Sequence, residues 1–399
     1  MSYSFPPTRA AGMQRLSGFL PRSGRDYAAG RNTDNGPDGH AHTSLLSPYL
    51  RHRLIAEREV VQAVLARHGI ATAEKYIQEV LWRTYWKGWL EMRPSVWSRF
   101  LEERDHARQH YPDARAIAAA ESGTTGIDGF DDWARELVAT GYLHNHARMW
   151  FASIWIFTLR LPWALGADFF LRHLIDADAA SNTLSWRWVG GLQTAGKVYL
   201  ASADNIARYT GGRYAPKGLA TEASALVAAP IATPAALAEL PDRYEGKPAL
   251  LLVTPEDMSP ESWIASNTPI AAVAVTTASN LAWGDRSARF VAGAADDAAQ
   301  RIGAHYRCSV DRLSILDADA VIAAAQKAKL RHIVMPYPPV GPVATAMKAF
   351  EPALADAGMT LHVLRRSWDS RFWPHAKKGF FVFKEAIPAE LLAEGLVTR

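Results

Sequence analysis

The 399 residues carry 44 Lys and Arg against 40 Asp and Glu, a formal charge of +4, with 49% hydrophobic side chains. That composition supplies enough apolar material for two or three packed domains, and its near-balanced charge permits a nucleic-acid partner without requiring one. A single cysteine, Cys308, excludes an internal disulfide and any cysteine-held zinc or iron–sulfur centre, and suits a reducing cytoplasm.

The first residues, MSYSFPPTRAAGMQRLSGFL, hold no apolar run of signal-peptide length. GRNTDNGPDGHAH (30–42) is a loop by composition. From Leu45 to about Tyr209 the pattern is helical. In YIQEVLWRTYWKGWL (76–90) the aromatics at 82, 85, 86 and 89 share one helix face. DDWARELVATGYLHNHARMW (131–150) predicts a helix, a break at Gly141 and a second helix. MWFASIWIFTLRLPW (149–163) is interrupted by Arg160 and Pro162 and falls short of the roughly 18 residues a membrane span needs, so it predicts a buried helix.

Residues 216–245, rich in Ala and Pro, predict a linker with one short helix. Beyond them, apolar runs at 247–255, 270–277, 330–338 and 359–366 alternate with Ala-rich helical stretches at 288–304, 317–329 and 343–357. Strands alternating with helices predict a parallel sheet with crossover helices. The phosphate-binding glycine motifs G-x-G-x-x-G and G-x-x-x-x-G-K-[ST] are missing from it. The expected fold is therefore a multidomain α and α/β chain, with an all-helical part over 1–215, a linker over 216–245 and an α/β part over 246–399.

Chemistry concentrates in the helical part. Ten of the fourteen tryptophans fall there, more than a helical core needs. They are core packing, a stacking platform for bases or a planar cofactor, or a chain of indoles that passes electrons. Thr43, Ser44 and Ser47 mark a helix start, which suits a phosphate or a plain N-cap. Glu79 and Trp82 stand at i, i+3, a carboxylate beside an indole on one helix face. Asn145 offers an amide, and Arg148 a partner for an acid such as Asp176. His144 and His146, at i, i+2, do not share a helix face, so no metal site is expected.

These residues, in this order, resemble the FAD-binding domain of the photolyase/cryptochrome family. The likeness runs from about Tyr27 to Tyr214. It is carried by Tyr27 and Arg31; Thr43, Ser44, Leu46, Ser47, Pro48, Tyr49 and Leu50; Glu79, Trp82 and Arg83; Thr140, Gly141, Tyr142, His144, Asn145, Arg148 and Met149; and Asp176, Asp178, Asn182, Trp186 and Trp188. The resemblance implies that Tyr27, Thr43, Ser44, Leu46, Ser47, Arg83, Arg148, Asp176, Asp178 and Asn182 bind FAD. Arg148 would pair with Asp176 beside the flavin ring, and Asn182 would face its N5. Trp186 and Trp163 would pass electrons, with Tyr111, Trp97 or Trp150 as the third member. Glu79 and Asn145 would act on a cyclobutane pyrimidine dimer. Arg31, Trp82, His146, Met149 and Trp188 would bind the damaged DNA. The implied reaction is blue-light-driven electron transfer from reduced FAD to the dimer, by a cytoplasmic monomer. A photoreceptor that signals without repair, or a redox flavoprotein, is the alternative.

The sequence departs from the family in places. His146 stands where many relatives keep an arginine, and Thr183, Leu184 and Ser185 stand where many keep Asn-Gly-Gly. Asn145 and Met149 depart from the histidines of the branch that repairs (6-4) photoproducts. The α/β part follows the flavin part instead of preceding it, which suggests a circular permutation. FFVFKEAIP (380–388) resembles the closing segment of the family's antenna domain, and that domain would hold any pterin or deazaflavin antenna.

Overall fold

The computed structural model describes residues 4–37, 39–194 and 196–398. Helices fill the chain from Arg9 to Tyr209, and a five-stranded parallel sheet follows. Its strands are β1 (Ala249–Val253), β2 (Ile270–Thr276), β3 (Ser309–Leu313), β4 (His332–Pro336) and β5 (Thr360–Leu364), in the order β3-β2-β1-β4-β5. This is the Rossmann-like order, with every pair of neighbours parallel. The expected strands and helices are present. The addition is β3, whose residues SVDRL are polar and half-exposed because the strand sits at the sheet edge.

Alternation along the strands explains how the two parts join. Leu250, Leu252, Ala272 and Ala274 face a core closed by Val321, Ala325 and Leu354. Leu251, Val253, Val273 and Val275 belong to the same continuous core as Trp133, Trp150 and Phe170 of the helical part. A period of two therefore gives the sheet one private face and one shared face.

Two expectations change. Residues 216–245 contain no helix among them. They run extended against the helical part, with Leu226 N–H donating to Gly190 O and Ala235 N–H to Met92 O. Prolines at 230, 234 and 241 deny this segment the donors a helix needs. The buried run after Asn145 is helical to Ser153, then opens into a π-helical turn over Ile154–Thr158 before Arg160, whose φ is +54°. The 380–388 run is helical. It opens the helix Phe380–Ala393, which buries Phe380, Phe383, Ile387 and Leu391. That helix and the preceding Trp373 lie on the long helix Ile70–Glu91. Gly88 permits the approach, since a Cβ there would stand 2.8 Å from Trp373 Cα.

Candidate functional site

A cavity of about 640 Å³ opens in the helical part. One wall is the helix Ile70–Glu91, whose Tyr76, Glu79, Val80, Arg83 and Trp86 recur at helical spacing and line it. The loop Thr43–Ser47, the start of the helix Asn145–Ser153 and the helix Ala179–Val189 form the other sides. Two non-glycine residues with left-handed backbone sit in these walls, Leu45 (φ +53°) and Ala177 (φ +38°). Such conformations cost about 1 kcal/mol or more and persist where the surroundings fix them. Ala177 turns between the two acids.

Asp178 is the N-cap of Ala179–Val189, its Oδ1 accepting from Ser181 N–H at 2.7 Å. Its other oxygen accepts from Arg83, and Arg51 lies 3.9 Å away. Burial alone would raise this carboxyl. The Arg83 guanidinium, with Lys87 and Arg51 behind it, overrides that and holds it well below the usual carboxylate range. Asp176 is 3.6 Å from Arg83 and 3.9 Å from Arg148. Arg148 Nε also donates to Leu143 O at 2.8 Å. Asn182 is buried and donates Nδ2–H to Ala167 O at 2.9 Å. The unexpected Thr183-Leu184-Ser185 does not break this helix. Thr183 and Leu184 turn into the core, and Ser185 lines the cavity.

At the mouth, Asn145 Nδ2–H donates to Glu79 Oε1 at 3.3 Å, and Arg31 lies 3.6 Å from the other carboxylate oxygen. Enclosure by the walls raises the Glu79 carboxyl, although a third of the side chain still touches open cavity. Met149 lines the same mouth. His146 is brought to the cavity but tied inward. Its Nδ1 pairs with Asn32 O at 3.0 Å and its ring stacks on Trp150 at 4.2 Å, so it reaches no exposed rim. Trp82 lines the wall with one face covered, because Phe380 lies on it at 3.7 Å and 10°. Trp188 stands open on the other side, stacked on Tyr199 at 5.6 Å.

Trp186 lines the cavity edge-on to Phe170 at 5.1 Å. Gly166 admits it, since a Cβ there would be 2.4 Å from its Cη2. Trp155, not singled out from the sequence, is edge-on to Trp186 at 6.2 Å. Trp163 lies outside the cavity lining and donates Nε1–H to Glu103 at 2.8 Å. From Trp163 an aromatic row continues through Phe100 (5.6 Å) and Trp97 (5.4 Å further) to Trp283 (5.8 Å beyond). Trp150 instead packs on Trp133.

Residues 76–210 match the family model for the FAD binding domain of DNA photolyase. A deoxyribodipyrimidine photo-lyase of Streptomyces griseus is 35% identical over 195 residues, 46% of this chain and 42% of that protein. The helical part carries the FAD binding domain of the photolyase/cryptochrome family. A Thermus thermophilus deoxyribodipyrimidine photo-lyase is 32% identical over 212 residues, 53% of this chain and 49% of that protein. A solved Synechocystis cryptochrome aligns at TM-score 0.45 and 24% identity, covering 51% of this chain and 43% of its own. The chain thus spans about half the length of the curated relatives it matches.

The family's cofactor, FAD, suits this cavity. Ser47 Oγ, Asp176 Oδ1 and Trp186 Nε1 are buried, line it and have no protein partner. Buried polar atoms left this way are costly unless a polar ligand or water satisfies them.

Two neutral histidines near the cavity make the photolyase-like fold acid-sensitive. Burial lowers His144 and His52 from 6.5 to about 4, and Arg51 adds to the effect on His52. Between those values the unfolded chain binds protons that the fold refuses, so stability falls as pH drops from 6.5 towards 4; below that the histidine contribution is spent and the depressed carboxyl of Asp178 carries the loss further. One such group contributes about 3 kcal/mol. Urea titrations across this range should show the loss, and His52→Gln should flatten the slope.

Proposed function

We propose that the protein uses FAD and blue light to reverse cyclobutane pyrimidine dimers in DNA. The observation that carries this reading is the Glu79–Asn145 pair at the mouth of the same cavity that holds Asp176, Asp178, Arg83 and Asn182. Tyr27, Thr43, Ser44, Leu46 and Ser47 would hold the diphosphate side of FAD, and Arg83, Arg148, Asp176, Asp178 and Asn182 the flavin side. Bound and reduced, FAD would supply an electron on excitation. Glu79, whose carboxyl is raised by its enclosure, would donate or accept a hydrogen bond at the dimer and steady its added charge. Asn145 holds Glu79 in place. Trp186 and Trp163 would deliver electrons to the cavity, and Trp97 is the candidate third member that the ring contacts put in line. A second chromophore is not needed by this reading.

A light-signalling role without repair is the second reading. It is favoured by two observations: Phe380 covers the Trp82 face that would stack on a dimer, and His146 is turned inward from the backbone it would grip. Illuminating the reduced protein with a thymine-dimer oligonucleotide decides between them. We expect repair, and Glu79→Ala should slow it roughly tenfold to a hundredfold. Normal light-driven flavin reduction with no repair by the parent protein would favour signalling. Full repair by Glu79→Ala would overturn the role given to that carboxylate.

A further inference from the structure

The cavity's stacking surfaces are not those the sequence suggested. Trp82 has its face filled by Phe380, and its remaining neighbours are Trp86 at 5.2 Å and Tyr85 at 5.5 Å. Tyr27, Tyr76, Tyr142, Phe170 and Trp186 line the cavity but are buried. Among the described lining residues, two aromatic rings stay exposed: Trp188, at 36%, and Phe381, at 80%.

Phe381 is held out by design of its surroundings. It follows Phe380 in the first turn of Phe380–Ala393, whose apolar stripe is spent on Phe380, Phe383, Ile387 and Leu391. The turn before it is fastened to the helix Ile70–Glu91 and to Arg93 just beyond its end. Tyr85 OH donates to Lys378 O at 2.9 Å, and Arg93 Nη2–H donates to Lys377 O at 2.7 Å. Phe380 stacked on Trp82 is a third fastening. A ring so placed loses little freedom on inserting into a partner. Val382 beside it is also exposed, at 48%.

The partner is indicated by charge. Lys377 and Lys378 stand four and three residues before the exposed ring, and Lys75 lines the same mouth; all three are exposed. Lys384 is already paired with Glu74 at 2.7 Å. Cations flanking an apolar ring at a cavity rim suit a nucleic-acid backbone with a disturbed stack between its strands. A lesion turned out of a duplex leaves a gap opposite the unpaired bases.

We propose that Phe381 enters a double-stranded DNA at that gap, filling the space the displaced pyrimidines leave while Lys377, Lys378 and Lys75 hold the phosphates. The proposal rests on the dimer-binding reading above and adds what that reading lacks, a reason for the protein to prefer damaged duplex. Trp188 then remains the open indole for the lesion itself.

The test uses fluorescence anisotropy in the dark, with the full chain and labelled oligonucleotides carrying a thymine dimer. Phe381→Ala should bind the damaged duplex about tenfold more weakly, the value of one lost base–aromatic stack. It should bind the damaged single strand within twofold of the parent protein, because a single strand leaves no gap to fill. Phe381→Trp should restore duplex binding. Equal losses on both substrates would make Phe381 a general contact and overturn the proposal, as would no loss on the duplex. A parent protein that fails to distinguish damaged from intact single strands would defeat the dimer-binding reading instead, and remove the proposal's substrate with it.

Discussion

Asp178→Ala should purify with almost no flavin and lose about 3–5 kcal/mol of stability, as expected when one partner leaves a buried ion cluster. Three losses combine at this position. The helix Ala179–Val189 loses its N-cap acceptor at Ser181 N–H, worth about 1 kcal/mol. Arg83 loses the carboxylate that aims it at the cavity. Lys87, whose Nζ is buried without a hydrogen-bond partner, loses one of the anions that oppose the lowering of its pKa by burial. Asp178→Asn separates these contributions, because an amide oxygen can still cap the helix while the charge is gone. We expect it to fall between the parent and the alanine variant. Flavin absorbance per mole of protein reads the first effect. Urea denaturation of the flavin-stripped proteins reads the second without the ligand's own contribution to stability. Full flavin occupancy in both variants would show that the cavity does not depend on this carboxylate.

What the sequence made legible follows from distance along the chain. Glu79 and Arg83 are one helical turn apart, and Asp176 and Asp178 flank one residue, so helix period and local order suffice to group them. The grouping of these with Asn145 came from the resemblance, and the structure brings Asn145 to Glu79 within hydrogen-bonding distance. Phe380 was beyond such reasoning. It lies in a run that resembles the closing segment of the family's antenna domain, and nothing local says which face of which element it will cover. Only the fastening of Lys377, Lys378 and Phe380 to the helix Ile70–Glu91 and to Arg93 just beyond its end shows that it closes the cavity. His146 was open to misreading for a different reason. Its position in the motif fixes the turn it sits in, but the carbonyl of Asn32 and the face of Trp150 decide where the ring goes. The edge strand β3 escaped because its polar residues need no alternation where one side meets water.

Charge as well as apolar packing crosses between the two parts. Glu256 and Asp257, just past the C-terminal end of β1, are buried, and each takes a two-point contact from an arginine: Glu256 from Arg51 of the helical part (2.6 and 2.7 Å) and Asp257 from Arg366 of its own α/β part (2.6 and 2.7 Å). Arg53 reaches Asp369 at 2.6 Å and lies 3.8 Å from Asp257. Arg51 is also 3.9 Å from Asp178, so this cluster adjoins the cavity's own ion pairs. The end of β1 that doubly wound sheets often leave open for a ligand is here occupied by these side chains.

Removing one member should therefore be far worse than removing two. Asp257→Ala leaves Arg366 and Arg53 buried with one anion fewer, and should cost about 3–5 kcal/mol in urea denaturation. Asp257→Leu with Arg366→Met replaces the pair by apolar side chains, and should recover most of that loss, because the desolvation of both charges is no longer incurred. Recovery should be incomplete, since Arg366 also donates to Ser259 O at 3.2 Å and Asp257 Oδ1 accepts from Ser259 N–H at 3.3 Å. A double variant as unstable as the sum of its two single changes would mean that Asp257 and Arg366 contribute independently, without the coupling a buried pair requires.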